Sequence, residues 1–587
     1  MPYLLSRSRQ SDGANRSRAV KERHLKILLE SYIALLHDMA AAGGAPDGFD
    51  AAGEALIVAD LIRAQSVQRA LAANAARGAA KDPALAELVR KEQDARRRIS
   101  ALYGRIAELK SAPPKEQDPG AIEQLAALID GLRDERARMM GVIERDFPDY
   151  ADLINPKPPA VADIQAMLRP DEAMISFYLT GERSYVWAIP KTGPVRFAAA
   201  DLSWRDAASA VHRLRRALDP RARTLGEIPA YDLDLAHDLY NTLLAPVAEG
   251  WKQAGSLLIV ADGALGYLPF GVLVTAPAEL RADEAVLFAS YRDVPWLARD
   301  HAISVLPSTT ALNTLRRGER SAASQSFVGF GDPIFSLASA EQPLVSGDIE
   351  TRGILDLRGL PIHLRSVPDT GGYVDADLSV LPRLPDTGEE LRQIALALSV
   401  DPSTQLFLGP DASEKRVRSM ELSGYKILAF ATHGLVPGDL NGLVEPALAL
   451  SAPKEAGPED DGLLTMSEIL GLRLDADWVV LSACNTGAGD GAGAEAVSGL
   501  GRAFFYAGSR ALLVTNWPVE TTSARRLTSD IFARQAADGA LSRAGALQGA
   551  MLALMDSPGY RDGAGKTLFS YAHPIFWAPF SLIGDGG

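Results

Sequence analysis

Apolar residues recur at three- and four-residue intervals over the first quarter of the chain, and beyond it in short, nearly continuous runs. The first pattern predicts helices from about residue 25 to 145, where Ala, Leu, Arg and Glu dominate and strand-like alternation is missing. In 84–109, Leu85, Leu88, Ile99, Leu102, Ile106 and Leu109 fall mostly on one helical face with charges between them. A second such stretch, 121–143, follows the breaker SAPPKEQDPG, so the pair predicts an antiparallel helical hairpin. After NPKPPAVAD the pattern changes. MISFYL (174–179) and SYVWAIP (184–190) predict a β-hairpin turning at 180–183. From there strands alternate with helices: the runs at 256–261, 302–307, 326–331, 425–431, 446–451, 478–483 and 510–516 read as strands. Thr387 with Glu390, and Thr465 with Glu468, carry the spacing of a capping box. Apolar strands separated by helices predict a mostly parallel α/β sheet covered on both faces and preceded by an all-α region. The Gly-, Pro- and Asp-rich stretches 342–378 and 452–462 read as surface loops, the first a candidate regulatory or self-processing segment.

At 587 residues the chain exceeds what one core usually organises. The expected layout is a flexible basic segment (1–24), a helical region that is a candidate remnant of helical repeats (25–155), an upstream α/β part without a catalytic pair of its own (160–400), and a catalytic part (401–587). Hydrophobic residues at 47% and charged residues at 23% fit a globular protein. A net charge of −14 argues against nucleic acid or anionic membrane as a partner. No apolar run is long enough to span a bilayer, and the basic, polar N-terminus lacks a secretory pattern, so a cytoplasmic location is expected. The single cysteine excludes an internal disulfide and thiolate-rich metal sites, and no HxxH or HExxH spacing supports a metal. No cofactor is expected.

That cysteine, Cys484, directly follows WVVLSA, and His433 directly follows YKILAFAT, so each stands where a buried strand ends. In α/β sheets the carboxyl ends of strands collect ligands and catalytic groups. Small residues follow both: Gly434 after the histidine, and Asn485, Thr486 and Gly487 after the cysteine, which lets backbone N–H groups approach a reacting carbonyl. A thiol is only slightly ionised at neutral pH and needs a base, which an imidazole can supply. Taken singly, a Cys among buried strands reads as core packing and a His beside Gly as a turn. The glycine-rich stretch 487–493 lacks the Lys-Ser/Thr ending of a nucleotide loop and reads as a loop over the site. His573, before a proline, reads as structural, and Asp262 with Gly263 as a hairpin turn.

FATHG (430–434), VVLSACNTG (479–487), RAFFYAGSRALLVTNWPV (502–519) and HPIFWAPFSLIG (573–584) resemble the successive signatures of CHAT domains, caspase- and separase-related peptidases often joined to tetratricopeptide repeats. The resemblance extends upstream through LYNTLLAPV (239–247) and LLIVADGALGYLPFGVL (257–273). It implies a caspase-like α/β fold and a cysteine endopeptidase acting on protein substrates, with His433 as general acid/base and Cys484 as nucleophile. It also implies an oxyanion hole from the N–H groups of Gly434 and Cys484. The strand 510–516 and the turn after it resemble the element that lines a caspase-like substrate groove, which makes Asn516 and Trp517 candidate substrate contacts; wall packing is the alternative for Trp517. Asn485 stands where many relatives carry an acidic residue. Two other readings stay open: a catalytically silent protein-interaction module, and a thiol acyl transferase of the transpeptidase kind. The N-terminal helices are a candidate docking surface for a protein activator or regulator.

Overall fold

A computed structural model describes residues 15–44, 46, 48–63, 119–146, 158–220, 222–281, 285–317, 321–336, 357–365, 378–437, 439–440, 443, 445–453, 460–483, 499–562 and 564–587, with seven further positions between 88 and 106. The strands are β1 (Glu172–Leu179), β2 (Ser184–Pro190), β3 (Arg196–Ala200), β4 (Ser256–Val260), β5 (Ala302–Val305), β6 (Gln325–Gly331), β7 (Leu406–Leu408), β8 (Tyr425–Ala431), β9 (Gly434–Leu435), β10 (Ala447–Ala449), β11 (Leu463–Thr465), β12 (Trp478–Leu481), β13 (Ala511–Thr515), β14 (Tyr560–Arg561), β15 (Thr567–Phe569) and β16 (Phe580–Gly584). The helices that matter below are α1 (Asn15–Ala41), α2 (Ala51–Ile62), α3 (Pro119–Asp146), α4 (Trp204–Leu218), α5 (Thr309–Arg317), α6 (Pro385–Ala397), α7 (Met466–Ile469), α8 (Gly499–Ala507), α9 (Thr521–Ala537) and α10 (Arg543–Met555).

Among the described residues one sheet holds eleven strands in the order β3-β2-β1-β4-β5-β16-β13-β12-β8-β6-β7. β1, β4, β5 and β16 run parallel, β13 pairs antiparallel with β16, and β13, β12, β8, β6 and β7 run parallel to one another. The sheet therefore continues without a break across residue 400. Successive residues of each strand face opposite covers. In β8, Ile427, Ala429 and Ala431 join the core under α4, α6, α9 and α10, while Leu428 and Phe430 join the core under α5 and α8. β12 divides likewise, Trp478 and Val480 against Val479 and Leu481. Burial on both faces is why these strands read as continuous apolar runs. α1 and α2 cover β1, β2 and β4 through Leu29, Ile33, Leu36, Ala55, Leu56 and Ala59. Asp60 and Arg63 lock them there: Asp60 accepts from the N–H of Thr309 and Thr310, and Arg63 donates to Ser176 and the Phe177 carbonyl.

Several expectations hold. β1 and β2 form the hairpin around Thr180, whose Oγ1 donates to the Arg183 carbonyl at 2.7 Å. Helical backbone is described in both arms expected of the helical hairpin, in α3 and at Leu88, Lys91, Ala95, Arg98, Ile99, Leu102 and Ile106, while the turn between them lies outside the described residues. Thr465 caps α7 with Glu468 at its third position. Others are corrected. Thr387 does not cap a helix, because Pro385, with its fixed φ, starts α6 two residues earlier and places Thr387 inside the first turn. Asp262 and Gly263 do not turn a hairpin: β4 is paired in parallel on both sides, and the Asp262 carboxylate accepts the Leu179 N–H at 2.8 Å. The run at 446–451 forms β10 of a separate three-stranded sheet with β9 and β11. Within the stretch read as a surface loop, Leu360, Ile362 and Arg365 are buried.

Candidate active site

His433 stands two residues beyond β8, where the chain leaves the large sheet for β9. Its backbone is fixed from the small sheet: the Ala449 N–H donates to the His433 carbonyl at 2.9 Å, and Thr432 Oγ1 donates to the Ala449 carbonyl. The imidazole is fully buried beside Phe335, ring centroids 5.6 Å apart. Nε2 lies 2.8 Å from the Pro382 carbonyl oxygen. A carbonyl only accepts, so Nε2 carries the proton and Nδ1 is left with its lone pair. Nδ1 has no hydrogen-bond partner among the described residues. Burial, with a smaller contribution from the nearby Arg365 charge, pushes the pKa down to about 4, against the opposing influence of the Pro382 hydrogen bond and Asp386. The ring is therefore neutral at pH 7.

The Pro382 carbonyl is itself held in place. Arg383 grips Asp332 at the end of β6 with two hydrogen bonds of 2.8 Å. Thr387 Oγ1 accepts the Asp332 N–H at 2.7 Å and donates to the Leu384 carbonyl at 2.7 Å. Asp332 takes a left-handed φ of 50°, a conformation aspartate tolerates better than most residues.

β12 is the parallel neighbour of β8, with Leu481 opposite Phe430. The ladder runs one residue further, the Ser482 N–H donating to the Phe430 carbonyl at 3.0 Å, and Thr515 Oγ1 donates to the Ala483 carbonyl. Cys484 follows Ala483 in the chain and, with Asn485 and the 487–493 loop, lies outside the described residues. Gly434 opens β9 opposite Leu448. The side chains of Asn516 and Trp517 are enclosed: Asn516 Nδ2 donates to the Pro579 carbonyl and Ser581 Oγ, and the Trp517 indole donates to the Ile575 carbonyl at 3.1 Å. Both side chains are buried, and Trp517 packs in the wall. His573 is also fully buried, its Nδ1 accepting the Ile575 N–H at the start of a short helix, and burial pushes its pKa down to about 3.

Sequence reasoning missed a charged cluster at this edge. Arg365, from the stretch read as a surface loop, donates to Glu390 Oε2 at 2.7 Å, to Asp386 Oδ2 at 2.8 Å and to Ser482 Oγ at 3.1 Å, two residues before Cys484. Burial opposes its charge, but Asp386 and Glu390 outweigh burial and hold the guanidinium proton more tightly than usual. Thr528 Oγ1 donates to the other oxygen of Glu390. The one sequence signal was the apolar alternation of Ile362 and Leu364 ahead of Arg365. Among the described residues no three His, Cys, Asp or Glu side chains gather as a metal site requires, and no helix is long and apolar enough to cross a membrane.

A family model described as CHAT domain matches residues 233–585. No curated protein matches. The solved structures similar to this chain include the Saccharomyces cerevisiae separase–securin complex, at TM-score 0.40 and 10% identity over 97% of this chain and 44% of that one. They also include the complex of Porphyromonas gingivalis RgpB pro- and mature domains, at TM-score 0.31 and 10% identity over 65% of this chain and 76% of that one. This chain thus spans less than half of the separase chain it matches.

Proposed function

Because the chain belongs to the CHAT domain family, we propose that it is a caspase-like cysteine endopeptidase acting on protein substrates, with His433 as general acid/base and Cys484 as nucleophile. The observation that carries this reading is the state of His433. It is neutral, its Nε2–H is committed to Pro382, and Nδ1 is unpartnered among the described residues, at the end of the strand beside the one that leads to Cys484. Leaving a buried polar atom without a partner costs about 1–3 kcal/mol, a cost that a proton-accepting role would explain.

The chemistry follows from that state. An imidazole with a pKa near 4 is too weak a base to strip a thiol outright, since the gap to an ordinary thiol near 8.5 is worth about 6 kcal/mol. The thiol proton therefore passes to Nδ1 as sulfur bonds to the scissile carbonyl carbon, and the carbonyl oxygen takes up the negative charge. The N–H groups of Gly434 and Cys484 receive that oxyanion. The imidazolium, steadied by the Pro382 carbonyl, gives its proton to the amide nitrogen as the C–N bond breaks, leaving a thioester. Water, deprotonated by the same Nδ1, then releases the acid and restores the thiol.

Incubation of the full chain with a peptide mixture, read by mass spectrometry, tests this. New carboxyl termini that are absent with Cys484→Ala support hydrolysis. Ligated peptides would assign acyl transfer instead, and identical profiles for the two proteins would contradict catalysis.

A further inference from the structure

Residues 360–365 form an extended strap between two segments of the fold. On one side the Leu225 N–H donates to the Leu360 carbonyl at 2.9 Å and the Ile362 N–H to the Arg223 carbonyl at 3.0 Å. On the other, the strap pairs antiparallel with the segment after β13: the Arg365 N–H donates to the Val519 carbonyl at 2.9 Å, and the Thr521 N–H to the His363 carbonyl at 3.2 Å. An extended peptide added to an edge by backbone hydrogen bonds, with one side chain seated in a pocket, is how strand-addition ligands bind. Here the seated side chain is Arg365. Its guanidinium fills the space between Asp386, Glu390 and Ser482, on the strand that leads to Cys484. A buried ion pair repays little of its desolvation cost as stability, so a purely stabilising role accounts poorly for this arrangement.

We propose that the strap is an internal occupant of the substrate cleft, with Arg365 standing in for a basic substrate side chain, so that the site is autoinhibited and accepts an extended peptide bearing arginine at this position. The inference rests on the peptidase reading above. A tethered occupant competes at an effective concentration on the order of millimolar, which keeps dilute substrate out until the strap is displaced. Asp386 and Glu390 are then the specificity-determining residues. Asp386, the more exposed of the two, is the one that an incoming guanidinium meets first.

The test uses acyloxymethyl-ketone probes carrying arginine or leucine next to the ketone, with the rate of Cys484 labelling read by mass spectrometry. Arg365→Ala should raise the arginyl rate roughly tenfold or more and the leucyl rate by much less, and adding Asp386→Asn should cancel the arginyl excess. Arg365→Ala strands two carboxylates and is prone to misfold, so Ile362→Gly, which loosens the strap but keeps every charge, should give the same selective gain. An arginyl rate unmoved by both strap variants, or equal gains for both probes, overturns the proposal. Iodoacetamide, which offers no side chain to the pocket, reports on the dyad separately: alkylation of Cys484 unaffected by His433→Ala defeats the peptidase reading. Hydrogen exchange then still decides the strap in the wild-type chain. Acetyl-Leu-Arg-amide should speed exchange in 360–365 while acetyl-Leu-Leu-amide does not, and no difference between the two contradicts the strap's role.

Discussion

At the scale of single residues, two buried imidazoles tie the candidate site to the stability of the fold. His433 and His573 take up protons near pH 4 and 3 when folded, against about 6.5 when unfolded. Between those limits unfolding absorbs protons, so stability falls as pH drops through 6.5 and levels off only below the folded values. The shift at His433 corresponds to about 3 kcal/mol. Thermal melts should therefore show Tm declining from pH 7 to pH 5, with a shallower decline in His433→Gln; an unchanged slope in that variant would count against a neutral buried imidazole. Sequence reading found His433 because FATHG ends a strand with a reactive side chain, and it could not find the Pro382 carbonyl, because backbone carbonyls leave no trace in composition. It missed Arg365 and Asp386 for a related reason. Their partnership joins residues 21 positions apart, and nothing local encodes it.

At the scale of elements, two similar sequence signals had different fates. Thr465 and Glu468 form a true capping box, whereas Thr387 and Glu390 have the same spacing inside α6, where Pro385 had already begun the helix. The freed side chains serve the site instead, Thr387 holding Asp332 and Glu390 holding Arg365. Thr465→Ala should cost about 1 kcal/mol in urea unfolding and leave Cys484 reactivity unchanged. Thr387→Ala should slow Cys484 alkylation as well, because Asp332, Arg383 and with them the Pro382 carbonyl lose their anchor; equal reactivity in the two variants would contradict that chain of support. β8, β12 and β13 were legible because burial on both faces leaves an unbroken apolar run. β3 and β7 were missed, being short and at the sheet margins, where only one side is hydrogen-bonded.

At the scale of the molecule, the two halves of the sheet meet where β16 pairs antiparallel with β13, and an ionic knot ties the segment after β16 to the start of β1 and to α5. Arg316 donates to Glu172 at 2.7 and 2.8 Å and to Asp585 at 2.9 Å, and Arg169 bridges the same two carboxylates. Burial raises the pKa of both carboxylates, but the arginines more than offset it and hold both below their usual range. Arg316→Met should cost roughly 3–5 kcal/mol, since it leaves buried charge uncompensated. A loss below about 1 kcal/mol in denaturant melts would show the knot to be incidental. The layered α/β plan was readable from hydrophobic periodicity, but the antiparallel joint was not, because strand direction depends on contacts between distant segments. The joint matters for function because it continues the sheet into the strands that carry His433 and lead to Cys484. The most direct measurement of the central claim is the rate of Cys484 alkylation by iodoacetamide at neutral pH in the full chain and in His433→Ala. A rate that falls roughly tenfold or more without His433 is the result expected of an imidazole that takes the thiol proton; equal rates would contradict the dyad.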